Sequence, residues 1–106
     1  MPRYLVTGSY TSEGLKGLLK EGGSGRRNAV ESAVKSMGGH LEAYYFAFGD
    51  SDVITIVDVP DNVTAAALAI GISSTGTVGT RTTVLLTPEE IDQATKKTLS
   101  FRPAGS

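Results

Sequence analysis

The stretch Asp52–Val59, which reads DVITIVDV, decides the fold. Its β-branched residues predict a strand, and Pro60 ends it because proline cannot donate a hydrogen bond to a neighbouring strand. The side chains of a strand point alternately to two faces. Both faces are apolar here, with Val53, Val57 and Val59 on one and Ile54 and Ile56 on the other. A sheet with one wet face would instead alternate apolar with polar residues, so this strand needs cover on both sides.

A second strand is predicted just before it, over His40–Phe48 (HLEAYYFAF), and a tight turn at Gly49-Asp50-Ser51 joins the two into a hairpin. Its faces are also both apolar: Leu41, Ala43, Tyr45 and Ala47 oppose Tyr44, Phe46 and Phe48. The pairing depends on the length of the loop. A three-residue loop would put Tyr44 on the face of Asp52, Ile54 and Ile56, whereas a two-residue turn would put Tyr45 there.

The flanking segments complete an α+β pattern. A strand is predicted over Tyr4–Tyr10, then two helical stretches around a glycine-rich break at residues 21–25, a helix over Val63–Ser74 and a strand over Thr80–Leu86. Thr87-Pro88-Glu89-Glu90 begins a last helix, with threonine at the cap and a glutamate at the third position. The order β-α-β-β-α-β plus a C-terminal helix predicts a ferredoxin-like split βαβ domain with a four-stranded antiparallel sheet. Residues 1–106 are expected to form one domain, with a loose tail over 99–106.

The second apolar sheet face predicts a partner. The two main helices can cover only one face, and the same face of a second copy is the simplest cover for the other. We therefore expect a homodimer or a larger homo-oligomer. The alternative is a monomer whose C-terminal helix, which carries Ile91, Ala94 and Leu99, folds over that face.

Composition excludes several classes of function. The chain has no cysteine, which rules out disulfides and Cys-zinc sites, and its single histidine cannot form a His-only metal site within one chain. A net charge of −1 and scattered basic residues give no reason to expect nucleic acid as a partner. No apolar run is long enough to span a bilayer. We expect a cytoplasmic protein without a signal peptide, a metal or another cofactor.

The segment Phe48–Asp61 resembles the signature of the GYD domain family. Gly49 falls on that family's glycine, Asp52 on its aspartate, Asp58 on its later acidic position and Pro60-Asp61 on its helix entry, while Ser51 stands where tyrosine is expected. The resemblance covers roughly residues 3 to 95. It implies a relation to dimeric α/β barrels, in which two ferredoxin-like sheets face one another around a cavity.

Candidate site residues lie near the hairpin. Asp52 and His40 are the candidates for catalysis, since a carboxylate or an imidazole can act as a general base. Asp50 is interpreted as turn chemistry, and Asp58 as a partner of Arg81 or another basic residue. The predicted ligand pocket is lined by aromatic, aliphatic and acidic residues of the hairpin and by Arg81: Tyr44, Tyr45, Phe46, Phe48, Asp52, Ile54, Ile56, Asp58 and Arg81.

Three functions fit the sequence. The first is a non-catalytic homodimer that binds or senses a small molecule in the cavity between its sheets. The second is a cofactor-independent enzyme of the isomerase or monooxygenase type, with its site in the same cavity. The third is a purely structural assembly module, which predicts a dry interface with no pocket.

Overall fold

The computed structural model describes residues 1–106 and contains four strands and three helices in the predicted order. Their bounds are β1 Arg3–Tyr10, α1 Ser12–Ser36, β2 His40–Phe46, β3 Val53–Asp58, α2 Asn62–Ser73, β4 Val78–Leu85 and α3 Pro88–Thr95. Residues 96–106 form no helix or strand. The strands make one antiparallel sheet in the order β2-β3-β1-β4, so β2 and β4 are its edges.

The helices begin where the sequence predicts caps. The Thr11 side chain accepts a hydrogen bond from the Gly14 backbone N–H, and Asp61 does the same for Thr64 at the start of α2. Thr87 and Glu90 form the predicted capping box of α3. Each of these contacts supplies a partner to a backbone N–H that has none inside its helix.

The glycine-rich break predicted in the first helix is a kink within α1. Gly22 has φ 78° and ψ 171°, a backbone conformation that is essentially restricted to glycine. The helical hydrogen bonding resumes on both sides of it, and so α1 spans 25 residues. On one side of the kink Leu18 lies beside Phe46, and on the other Val30 packs against the core, so both halves of α1 lie on the same side of the sheet.

The core lies between the sheet and two helices. Val34 of α1 and Leu68 of α2 pack with Tyr4, Val57 and Val59 of the sheet, and Val34 and Val59 are completely inaccessible to solvent. We call this side of the sheet the helix face. Its alternation on β3, with Val53, Val57 and Val59 buried, is the one predicted from the sequence.

Strand β2 differs from its prediction. A β-bulge between Leu41 and Ala43 leaves Glu42 unpaired and reverses the alternation. Leu41 therefore lies on the helix face with Tyr44 and Phe46, and only Ala43 and Tyr45 point to the opposite side. The predicted grouping of Leu41 with Ala43 and Tyr45 was wrong, because an inserted residue in one strand shifts every later side chain by one position.

The hairpin loop is longer than either predicted length. The Ala47 backbone N–H donates to the Asp52 carbonyl oxygen at 2.9 Å, which leaves Phe48 to Ser51 as a four-residue loop. Strand β2 ends at Phe46 for the same reason. An even-numbered loop keeps the pairing that a two-residue turn would give, and so Tyr45 lies opposite Ile54.

The C-terminal segment does not cover the sheet. Every residue from Leu86 to Ser106 is exposed, including Ile91, Leu99 and Phe101. The radius of gyration is 17.0 Å, compared with about 13 Å for a compact domain of this length. The segment thus extends away from the body, and the alternative in which α3 folds over the second sheet face is absent from this chain.

Candidate functional site

The face of the sheet that the helices leave uncovered carries an apolar strip. In antiparallel strands, directly paired residues point to the same side of the sheet. Two cross-strand rows follow from the pairing: Tyr45, Ile54, Thr7 and Arg81 form one, and Ala43, Ile56, Leu5 and Thr83 form the other. We call this side the open face. Its Tyr45 side chain is 69% exposed and Ile54 is 37% exposed, so the strip is accessible to a partner.

A charged cluster borders the open face at the end where β1 begins. The Arg3 guanidinium donates hydrogen bonds to Asp58 at 2.9 Å and to Glu42 at 3.3 Å. His40, the first residue of β2, lies opposite Asp58 of β3. Partial burial is the largest single effect on the Asp58 carboxyl and opposes its ionisation. The hydrogen bonds with Arg3 and Glu42 and the positive charge of Arg3 together outweigh it and hold the Asp58 pKa below its ordinary value. The predicted basic partner of Asp58 is therefore Arg3 and not Arg81.

A polar pocket lies at the opposite end of the open face, beside the hairpin loop. We call it the Arg81 pocket, and its volume is about 290 Å³. None of the residues that line it is hydrophobic: Thr7, Ser9, Asp50, Ser51, Gly79, Thr80 and Arg81. The Ser9 hydroxyl donates a hydrogen bond to the Asp50 carbonyl oxygen at 3.5 Å. Arg81 makes no ion pair and no side-chain hydrogen bond, since the four ion pairs of the chain involve Arg3, Lys16 and Arg26. The open face thus combines apolar rows with one unpaired cation.

A second, smaller space lies between the sheet and α1. It encloses about 50 Å³ beside Tyr10, Arg26, Val30, Tyr44 and Thr55. This volume has room for water molecules but is well below the roughly 300 Å³ of ordinary ligand pockets. Burial, followed by hydrogen bonding with Tyr10, raises the pKa of Tyr44 above its ordinary value. Tyr44 and Phe46 pack edge to face at 5.4 Å on this side and not on the open face.

Asp52 is tied into the backbone at the top of the hairpin. Its carboxylate accepts from the Tyr10 N–H at 2.8 Å, and its own N–H donates to the Gly8 carbonyl oxygen at 2.8 Å. These bonds hold the start of β3 against the end of β1. Asp52 also borders an apolar groove beside Leu15, Leu18, Phe46 and Phe48, with a volume of about 370 Å³.

The two candidate catalytic residues are far apart within one chain. His40 pairs with Asp58 at one end of β3, and Asp52 precedes the other end. Six residues of strand separate the two positions, a distance of about 20 Å. A single chain therefore does not bring His40 and Asp52 together, and the aspartate beside His40 is Asp58. Nor does the chain contain a group of three or more histidine, aspartate or glutamate side chains that could hold a metal ion.

The structure divides the predicted pocket residues into three groups. Tyr45, Ile54, Ile56 and Arg81 share the open face, with Asp58 at its edge. Tyr44 and Phe46 lie on the helix face. Phe48, which is fully exposed, and Asp52, which is bonded to Tyr10, lie in and beside the hairpin loop. Sequence reasoning missed Arg3, Thr7 and Ser9. Their alternation with Tyr4, Val6 and Gly8 along β1 is the period-two signal that could have found them.

Comparison with known families decides the membership of the chain. The family model described as the GYD domain matches residues 4–95, which include all three helices and all four strands except Arg3 at the start of β1. The chain belongs to the GYD domain family. No curated protein and no solved structure matches this GYD domain. None of the helices in this GYD domain is long and apolar enough to cross a membrane.

Proposed function

We propose that this GYD domain is a cytoplasmic homodimer that binds a small molecule, without catalysis, in a space between two open faces. The observation that carries the proposal is the open face itself, where an uncovered apolar strip adjoins the Arg81 pocket. A contiguous exposed apolar surface with a polar border is typical of an interaction site. The role of such a protein would be to sense or carry its ligand.

The strand order supports the geometry of this dimer. The order β2-β3-β1-β4, with a helix in each of the connections β1–β2 and β3–β4, supports a ferredoxin-like split βαβ domain. Two such sheets packed through their open faces would form a dimeric α/β barrel. The resemblance described for Phe48–Asp61 implies the same assembly on independent grounds.

The charges of the open face support a second copy of the same chain as the partner. Two cations, Arg3 and Arg81, and three anions, Glu42, Asp50 and Asp58, border the apolar strip. This near balance limits net repulsion between two identical faces, and a two-fold axis would let the same surface serve both partners. Each Arg81 pocket would then lie near the rim of the shared space.

The oligomeric state of an open-face variant tests the interface. Ile54→Lys would place a charge in the middle of the strip and is expected to turn the dimer into a monomer in light scattering coupled to size-exclusion chromatography. Leu19→Lys is the matched control, since Leu19 is 88% exposed on α1 away from the open face. Circular dichroism would check that both variants are folded. A wild-type monomer at millimolar concentration would contradict the proposed interface.

A screen by thermal shift distinguishes ligand binding from a purely structural role. The proposal predicts that some class of small molecule raises the Tm of the wild-type dimer. A dimer with a dry, filled interface and no stabilising ligand would instead support the assembly module. The enzyme alternative lacks a supporting observation, because His40 and Asp52 are separated along β3 in one chain.

A further inference from the structure

We propose that the Arg81 pocket binds the carboxylate of a small apolar acid, whose apolar body lies along the row of Thr7, Ile54 and Tyr45. This inference rests on the proposed function, because it names the ligand class for the same shared space. It takes four observations together: the lining of the pocket, the unpaired charge of Arg81, the sequence of side chains along the row, and the empty space above Gly79.

The lining of the pocket fits a carboxylate. The Arg81 guanidinium offers a planar fork of N–H donors that matches two carboxylate oxygens. Four hydroxyl residues line the same pocket: Thr7, Ser9, Ser51 and Thr80. The Ser9 hydroxyl donates to the Asp50 carbonyl oxygen and the Thr80 hydroxyl is bonded to Ser73, so those of Thr7 and Ser51 can donate to a ligand. No apolar side chain lines it, so the pocket would hold the polar end of a ligand.

The unpaired charge of Arg81 requires a counterion once the open face is covered. Arg81 makes no ion pair in the single chain, where solvent hydrates it. Packing a second sheet over the open face would remove part of that water even near the rim, and a partly desolvated charge without a partner is unfavourable. A ligand carboxylate would supply the missing charge. Asp50 is the other charged residue of the pocket, and it lies beyond ion-pair distance of Arg81.

The row of side chains that begins at Arg81 indicates the chemistry of the part of the ligand beyond its carboxylate. Thr7 is its neighbour on β1, Ile54 follows on β3 and Tyr45 follows on β2. Polarity therefore falls along the row, from a cation through a hydroxyl to an aliphatic and an aromatic side chain. Adjacent strands lie about 4.8 Å apart, so Ile54 is about 10 Å across the sheet from Arg81. A short-chain monocarboxylate fits this order of groups, and Asp50 would disfavour a second negative charge.

Gly79 leaves space in the pocket without any strain of its own. It lies opposite Ser9 on the same side of the sheet as Arg81, and a Cβ atom added there would meet nothing within 4 Å. Gly79→Val is therefore expected to fold normally while it fills part of the pocket. A substitution at Gly79 changes the size of the pocket without changing its charge, so it tests ligand binding independently of a substitution at Arg81.

Calorimetric titration with three probes of the same chain length tests the proposal. We expect the wild-type protein to bind hexanoate at least tenfold more tightly than hexanamide or hexylamine. Arg81→Gln and Gly79→Val should each weaken hexanoate binding at least tenfold. Arg102→Gln, which removes an exposed arginine from the C-terminal segment, should leave hexanoate binding unchanged, and Asp50→Asn should tighten it.

Several results would overturn the assignment. Equal binding of hexanamide, undiminished hexanoate binding in Arg81→Gln, or tighter binding of inorganic phosphate than of hexanoate would each do so. Equal loss of Tm in Arg81→Gln and Asp50→Asn, with no hexanoate binding to the wild type, would show that Asp50 neutralises Arg81 instead. Light scattering on the same samples separates the two proposals. A dimer that binds only the neutral or cationic probe disproves the carboxylate site alone, whereas a monomer that binds none disproves both.

Discussion

Tyr45 and Arg81 stand at the two ends of one cross-strand row, separated by Ile54 and Thr7. Three strand spacings lie between them, or about 14 Å. The row crosses the whole sheet on the face that the helices leave bare. It places an aromatic ring on one edge strand and a free guanidinium on the other, and so the open face has an apolar side and a charged side.

A tryptophan at position 45 should report the burial of the open face. The chain has no tryptophan, so a single Tyr45→Trp substitution gives an unambiguous fluorescence signal. We expect its emission to shift to shorter wavelength as the protein concentration rises through the dimer dissociation constant, because the indole leaves water. Leu19→Trp, on the exposed surface of α1, should show no such shift. Identical behaviour of the two variants would argue against an open-face dimer.

Two glycines one turn apart on α1 should respond oppositely to alanine. A Cβ at Gly14 would lie 1.9 Å from the Thr77 carbonyl oxygen, whereas a Cβ at Gly17 would meet nothing within 4 Å. Gly14→Ala is expected to destabilise the protein by about 3 kcal/mol, since α1 and the backbone at Thr77, just before β4, must separate. Gly17→Ala should stabilise it by about 0.5–1 kcal/mol through helix propensity. Urea unfolding measures both, and equal effects would refute the close approach of α1 to residue 77.

The role of Asp52 can be separated into structure and catalysis. Its carboxylate is an acceptor for the Tyr10 backbone N–H, so Asp52→Ala is expected to cost about 1–2 kcal/mol in urea unfolding. Asp52→Asn keeps an acceptor oxygen and should lose clearly less. If both variants kept wild-type stability, the hydrogen bond to Tyr10 would carry no weight, and the case for a functional carboxylate would strengthen.

The Asp58 carboxylate should make stability depend on pH in the acid range. Because its pKa is lowered in the folded state, its contribution is present above its unfolded pKa near 4 and is lost as the pH falls through the folded value. The Tm difference between wild type and Asp58→Asn is therefore expected to be largest near neutral pH and to shrink below about pH 4. Asp92→Asn, at an exposed site on α3 without an ion pair, is the control and should show a constant difference.

The Tyr44 phenol should make the stability of the fold depend on pH in the alkaline range. Its pKa is raised in the folded state by burial, so the folded protein holds this proton while the unfolded chain releases it above about pH 10. Stability should consequently fall as the pH rises past that value. Tyr44→Phe is expected to move the midpoint of alkaline unfolding to higher pH, followed by circular dichroism and by phenolate absorbance. Tyr45→Phe should leave the midpoint in place, and a shift of equal size there would contradict the assignment.

The local signals of the chain determined much of the fold. The run at residues 52–59 predicted a strand with two apolar faces, and Thr87-Pro88-Glu89-Glu90 predicted a capped helix; both follow from contacts within a few residues, and both are present. The family was also recognisable from Phe48–Asp61, because its residues occur in a fixed local order. These features need only the spacing of side chains along the chain.

The tertiary structure decided which side chains meet. The bulge at Glu42 moved Leu41 to the helix face, and the four-residue loop put Tyr45 rather than Tyr44 opposite Ile54. The partner of Asp58 is Arg3, which is 55 residues away in sequence. Strand pairing is set by long-range packing and by loop geometry, where one extra residue reverses a whole face. The sequence therefore predicted that the sheet needs a second cover, and only the fold placed Arg81 on that uncovered face.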